Sequence, residues 1–154
     1  MNTDSTDYSH PTETVLRNID VHTLLPQQEP FVMVGTLTQF DETTTVTETL
    51  ICPDNLFVDG EALRTTGMIE NIAQTCAVRI GYYNKYILNT SVQIGVIGAV
   101  RKMKVNGHPR VGQQFRTTVT VVQQLLGMTL ANAKITCEGE TLATAQIKLA
   151  VKEQ

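Results

Sequence analysis

One segment constrains the fold of this chain more than any other. Between residues 65 and 86 it has the periodicity of a helix, and nowhere else does that period persist beyond a turn. Ile69, Ile72, Ala73, Cys76, Ala77, Ile80 and Tyr83 fall on one broad face at 100° per residue, so the helix is made for burial. Ile69, Ile72, Ala73, Cys76 and Ile80 are expected in the core. Thr65 or Thr66 starts the helix, with Glu70 close enough to help cap it. Glu70 and Gln74 sit one turn apart on the edge of the apolar face. A carboxylate there asks for a reason.

After the helix the chain is nearly all strand. Residues 92–105, 115–125, 128–137 and 141–152 are β-branched or alternate with period two. Phe115, Thr117, Val119 and Val121 share one side, as do Ala131, Ala133, Ile135 and Cys137. Ala143, Ala145, Ile147, Leu149 and Val151 face in. The turn before residue 141 holds Gly139, free to take positive φ. Two more strands precede the helix, at 31–40 and 45–52, with Gly35 marking a bulge or a close approach. Residues 53–64 read as a loop. Asp20 caps a helical turn that Pro26 ends.

No β-α-β alternation calls for a parallel sheet. The expectation is an α+β fold, an antiparallel sheet with one solvated face and one face closed over the single helix. A helix of about 20 residues covers only part of such a sheet, so the open strip and edges invite a second chain. A homodimer or a heterodimer would bury them.

The remaining bounds are brief. The length suits one domain, expected over residues 15–154 behind a disordered tail at 1–14 rich in Thr, Ser and Asp. Apolar residues are 42 % of the chain, enough to exclude a disordered protein. A net charge of −3 with scattered Lys and Arg gives no sign of a nucleic-acid or anionic-membrane surface. The first residues lack an apolar signal core and no run approaches a membrane span, so the expected location is cytoplasmic. Cys52, Cys76 and Cys137 are odd in number and far apart. They are read as reduced and buried, with no His at metal-ligand spacing.

Two motifs carry a family resemblance. "LLPQQEPFVMV" resembles the Leu-Pro segment of the β-hydroxyacyl-acyl-carrier-protein dehydratases, and "IENIAQTCA" resembles their Glu-x-x-Ala-Gln helix. The intervening "PDNLFVDGEALRTTGMIE" is closer to the branch found in bacterial aryl-polyene and pigment gene clusters. The resemblance spans roughly residues 24–151. It implies the hotdog fold, a curved antiparallel sheet wrapped around one long helix, and a catalytic acid at Glu70 beside Gln74. A carboxylate against apolar walls holds its proton near neutral pH. In the resembling family the second catalytic residue is a His from the other chain of a dimer, placed where this chain has Asn55. Gln27 and Gln28 replace a further His and Arg. His10, His22 and His108 read as local loop histidines. Asn55 cannot accept a proton but can give and take hydrogen bonds.

Three functions stand open at this point. The first is 3-hydroxyacyl-thioester dehydration in fatty-acid or polyene/polyketide-type biosynthesis, with this chain as one half of a heterodimer. The second is an acyl thioesterase using Glu70, Asn55 and backbone N–H groups near Thr66 and Gly67. The third is an acyl- or carrier-binding module without chemistry. No cofactor or metal is expected. The acyl thioester would ride on the phosphopantetheine of an acyl carrier protein or on coenzyme A. Arg101, Lys102 and Lys104 are candidates for that phosphate or for an acidic carrier surface, or are a solvated strand end. Gly95 and Gly98 are candidates for close passage of an acyl chain, or are bulges.

Overall fold

The computed structural model describes residues 6–90 and 94–152, with the backbone only at 94–96 and 151–152. The elements in chain order are α1 (Glu13–Arg17), β1 (Thr36–Phe40), β2 (Thr44–Leu50), β3 (Val58–Asp59) and β4 (Ala62–Leu63). They continue with α2 (Thr65–Tyr82), β5 (Ile94–Val105), β6 (Gln114–Leu125), β7 (Met128–Cys137) and β8 (Glu140–Lys152). Six strands form one sheet in the order β1-β2-β6-β7-β8-β5, and every neighbouring pair is antiparallel. The helix α2 packs on β2, β5 and β6. This is the expected hotdog arrangement.

The strands after the helix follow their alternation. Phe115, Thr117, Val119, Ala131, Ala133, Ile135, Cys137, Ala143, Ala145, Ile147 and Leu149 are buried; Val121 is half-buried where β6 bulges against β7. The side chain of Val151 lies outside the described residues. Glu138 and Gly139 both take positive φ, the conformation of a two-residue hairpin turn. Gly35 sits against the Glu48 carbonyl, 2.7 Å from where a Cβ would stand, so the close approach is real.

The helix is buried on different residues than its apolar pattern implies. Ile72 and Cys76 are buried as expected, but Ile69, Ala73 and Ile80 are only half-buried. The deep faces are Met68, Asn71, Ile72, Thr75 and Cys76 on one side and Gln74, Val78 and Tyr82 on another. The reason is that α2 is covered twice. One flank meets the sheet core with Met33, Phe115 and Ile147. The other meets a second cluster from the N-terminal segment: Leu16, Val21, Leu24, Leu37 and Phe40. Gly81 lets Leu24 approach, since any Cβ there would strike the Leu24 carbonyl.

Other details differ from expectation. Within the expected tail, Thr12 caps α1 by accepting from the Val15 N–H, and the Tyr82 hydroxyl donates to the Tyr8 carbonyl at 2.7 Å, though most side chains of residues 9–14 are exposed. Residues 58–63 form the small β3–β4 hairpin instead of a plain loop. Asp20 caps the helical turn 21–23 as read. Past Tyr82 the helix widens into a π-turn over Tyr83–Leu88 and ends at Asn89 with φ 55°. Cys52 is exposed because it sits in the turn after β2, beyond the sheet; Cys76 and Cys137 are buried, and all three are free.

Candidate active site

The site grows from the segment between residues 31 and 35. The expected strand begins only at Thr36, because side chains of α2 take the backbone groups a neighbouring strand would have used. Gln74, fully buried, accepts from the Met33 N–H at 2.6 Å and donates to the Phe31 carbonyl at 2.8 Å. Asn71, also fully buried, donates to the Met33 carbonyl at 2.7 Å and to Thr49 Oγ1 at 3.2 Å, and accepts from the Thr117 hydroxyl. Two amide side chains thus clamp Phe31–Met33 across the helix.

Gln74 spends its other amide proton on Glu70 Oε1 at 2.8 Å. Glu70 is half-buried, and its Oε2 has no hydrogen bond among the described residues. The carboxylate does not cap the helix, whose N-cap residue Arg64 makes no side-chain capping bond. The carboxyl would have to reach back along the first turn, and Gln74 holds it the other way. Nor does it pair with the arginines. Arg64 lies 3.8 Å from Asp59, and Arg79 donates to the Asp41 and Glu42 carbonyls and to Thr45 Oγ1.

Asn55 stands on the turn before β3. Its Oδ1 accepts from the Phe57 N–H at 2.9 Å, its own N–H donates to the Cys52 carbonyl, and its carbonyl accepts from Val58. Its Nδ2 points at Met33 Sδ, 3.0 Å away. Asn55, Met33, Gln74 and Glu70 are therefore linked side by side, and one Nδ2 proton of Asn55 has no hydrogen bond among the described residues. Gly67, in the first turn of α2, is buried where Phe57 and Leu63 cross it; a Cβ would come 2.7 Å from Leu63 Cδ1. Its smallness serves that crossing.

The remaining candidates lie apart. Gly98 is exposed in a bulge between Ile97 and Ala99, with open space around it except the Lys148 carbonyl at 3.6 Å. The Gly95 backbone pairs with Val151, and its surroundings lie outside the described residues. Arg101, Lys102 and Lys104 are exposed on β5; Lys102 takes φ 52° in a second bulge. Each histidine is bonded locally: His10 to Asp7, His22 to Asp20 and Glu29, and His108 to the Leu63 carbonyl. Among the described residues no His, Cys, Asp and Glu cluster could hold a metal ion.

Sequence reasoning missed Asn71. The signal was present, an amide one residue after Glu70 in the middle of an apolar helix, which demands a buried partner. A cavity of about 660 Å³ lies farther along α2, lined by Cys76, Arg79, Ile80 and Tyr83 of the helical segment and Val119, Ala131 and Leu149 of the sheet. Burial pushes the Cys76 thiol up to about 12 and lowers the Arg79 guanidinium from its ordinary value.

One long helix packed on a six-stranded antiparallel sheet, with an amide-held carboxylate on its second turn, defines a hotdog protein. The chain belongs to the ApeP-like family, described as ApeP dehydratase, which it matches over residues 19–154. It is a dehydratase-like hotdog protein. Among solved structures it is similar to the dehydratase heterocomplex ApeI:P from Xenorhabdus doucetiae, with a TM-score of 0.82 at 17 % identity, over 90 % of this chain and 94 % of that one. It is also similar to a hypothetical thioesterase with coenzyme A from Streptococcus pneumoniae TIGR4, with a TM-score of 0.61, 11 % identity and coverage of 77 % and 85 %. The PaaI protein of E. coli gives a TM-score of 0.57 at 13 % identity, covering 74 % and 80 %. These identities establish the fold. No curated protein sequence matches the chain. No helix among the described residues is long and apolar enough to cross a membrane.

Proposed function

We propose that this chain is the acid-bearing half of a 3-hydroxyacyl-thioester dehydratase whose base comes from a second hotdog subunit. The observation that carries the reading is a Glu70 carboxyl held by Gln74, with Asn55 joined to the same group through Met33. Glu70 has one oxygen held by Gln74 and one without a hydrogen bond among the described residues, the arrangement of a carboxyl that can present a proton. Asn55 stands where the family resemblance expects a base, and an amide cannot serve as one.

In the elimination, a base removes the C2 proton, the C2–C3 double bond forms, and the C3–O bond breaks. Glu70 gives its proton to the departing hydroxyl, which leaves as water, and the carboxylate is later reprotonated from solvent. Gln74 keeps Glu70 Oε1 occupied, so proton donation falls to Oε2. The second Nδ2 proton of Asn55, without a hydrogen bond among the described residues, can hold a substrate oxygen. The substrate would be carried on the phosphopantetheine of an acyl carrier protein or on coenzyme A, with no further cofactor. The half-buried stripe Ile69, Ala73, Ala77 and Ile80 and the unpaired outer edge of β5 are the surfaces such a subunit would cover. Membership of a dehydratase family supports the chemistry, and the X. doucetiae dehydratase heterocomplex is the precedent for a mixed pair.

The test follows enoyl-thioester absorbance and free-thiol release from 3-hydroxyacyl and saturated acyl thioesters, for the chain alone and with a His-bearing hotdog partner. Dehydration is expected only with the partner, and lost in Glu70→Gln. Asn55→His should bring dehydration to the chain alone, since one placed general base is worth about 10²–10⁴-fold. Thiol release by the unmodified chain without enoyl product under any partner condition would make it a thioesterase and end the reading.

A further inference from the structure

Arg79 stands on α2 nine residues after Glu70, about 13 Å farther along the axis. It is half-buried, and burial lowers its guanidinium from the ordinary value, with Asp41 and Cys76 acting the other way. Its partners are all neutral. Nη1 donates to the Asp41 carbonyl and to Thr45 Oγ1, each at 2.9 Å, and Nη2 donates to the Glu42 carbonyl. The guanidinium carbon lies 4.9 Å from the centre of the Phe40 ring. The Asp41 carboxylate is occupied elsewhere, by the Thr43 and Thr44 N–H groups and the Gln39 amide. Among the described residues Arg79 forms no ion pair, and its Nε–H and one Nη2 proton make no hydrogen bond. A cation drawn partly out of water and met only by dipoles is left without a counter-charge.

This cation stands on the wall of the cavity of about 660 Å³, a volume within the range of small-molecule sites, roughly 300–1,000 Å³. Much of the remaining wall is apolar: Cys76, Ile80, Ile87, Val119, Ala131 and Leu149. Tyr83 and Leu88 line the same space and are exposed, and so is Gly127, next to the almost wholly exposed Leu126. The cavity therefore meets solvent across an apolar rim, where a hydrocarbon chain would lose water on entry. Glu42 and Gln124 add exposed polar groups, and neither Glu70, Gln74 nor Asn55 lines it.

We propose that this cavity binds a single-chain carboxylic acid, with its carboxylate against Arg79 and its chain along the apolar wall. A monoanion matches one guanidinium, whose planar fork suits a carboxylate; a dianionic phosphate would bring a charge that one arginine leaves unpaired. An uncharged chain would fill the apolar space but leave the cation as it is. The helical segment from Arg79 to Leu88 gives a wall about 13 Å long for the chain. The ligand is a free acid rather than a thioester, and the proposal does not depend on the dehydratase reading.

The probe is dodecanoate below its micelle concentration, titrated into the isotopically labelled chain at pH 8. Methyl dodecanoate and dodecyl phosphate offer the same chain under a neutral and a dianionic head. Dodecanoate is expected to bind saturably, to shift amides within residues 79–88 and 119–131, and to bind on the order of tenfold or more tighter than either analogue. Arg79→Gln should remove that preference for the carboxylate, and Arg79→Lys should restore part of it. Because Arg79 also holds the turn at 41–42, Val121→Trp is the second variant: it fills the cavity from β6, keeps Arg79, and should abolish binding with an unchanged melt. Methyl dodecanoate binding as tightly as dodecanoate would give Arg79 no part and overturn the proposal, as would tighter binding of dodecyl phosphate. Shifts centred on Asn55, Gln74 and Glu70 would place the ligand in the candidate active site and overturn it, and the absence of saturable binding would remove it.

Discussion

Replacing Gln74 by Leu tests whether the helix amides build the site. The side chain is fully buried and makes three hydrogen bonds: from the Met33 N–H, to the Phe31 carbonyl and to Glu70. Leucine is of similar size, so the cavity contribution is small. The Met33 N–H is left buried without a partner, at a cost of about 1–3 kcal/mol; the Phe31 carbonyl and Glu70 lie nearer solvent and recover water, losing about 0.5–1 kcal/mol each. The sum is about 2–5 kcal/mol, or a fall in melting temperature of roughly 5–15 °C for a domain of this size. Gln74→Glu makes a sharper control. It keeps the acceptor for Met33 but sets a second carboxyl 2.8 Å from Glu70. Two carboxyls so placed cannot both ionise easily, so one is raised in the folded state. Stability tied to its proton is present at low pH and lost as pH rises through the raised value. Denaturant unfolding of both variants from pH 4 to pH 8 reads this out. A Leu variant within about 0.5 kcal/mol of the parent, well under the penalty for an unpaired buried N–H, or a Glu variant with the parent's pH profile, would refute the clamp.

Three further outcomes are expected. Gly81→Ala should be among the most damaging small substitutions, because the new methyl meets backbone at Leu24 that has no rotamer to yield; a loss of about 2 kcal/mol or more is expected in chemical unfolding. His22 donates from both ring nitrogens to Glu29 and Asp20, which raise it above its ordinary value, so this clamp is present at low pH and released as pH rises through the raised value. NMR titration of the His22 ring should show the upward shift, and Glu29→Gln should reduce it. A thiol reagent at mildly alkaline pH should modify Cys52 alone in the native chain, since Cys76 is buried and pushed up to about 12 and Cys137 is buried and raised; more than one fast-reacting thiol per chain would contradict the packing.

The sequence by itself determined the antiparallel order, one long helix and the inward sets of β6, β7 and β8, because a period of two with Ala, Ile and Val leaves a strand only one face to bury. It also singled out Glu70, Gln74 and Asn55 through motif spacing, and the folded chain links these three through Met33. Only the tertiary structure decided which side of α2 goes in. Hydrophobicity placed Ile69, Ala73 and Ile80 at the core, yet Asn71, Gln74 and Thr75 lie deeper. Their partners are distant in sequence: Thr47 and Thr49 on β2, Thr117 on β6, and the backbone of Phe31 and Met33. A buried polar side chain is tolerated only where such partners converge, and that convergence is a property of the folded chain that no local period records.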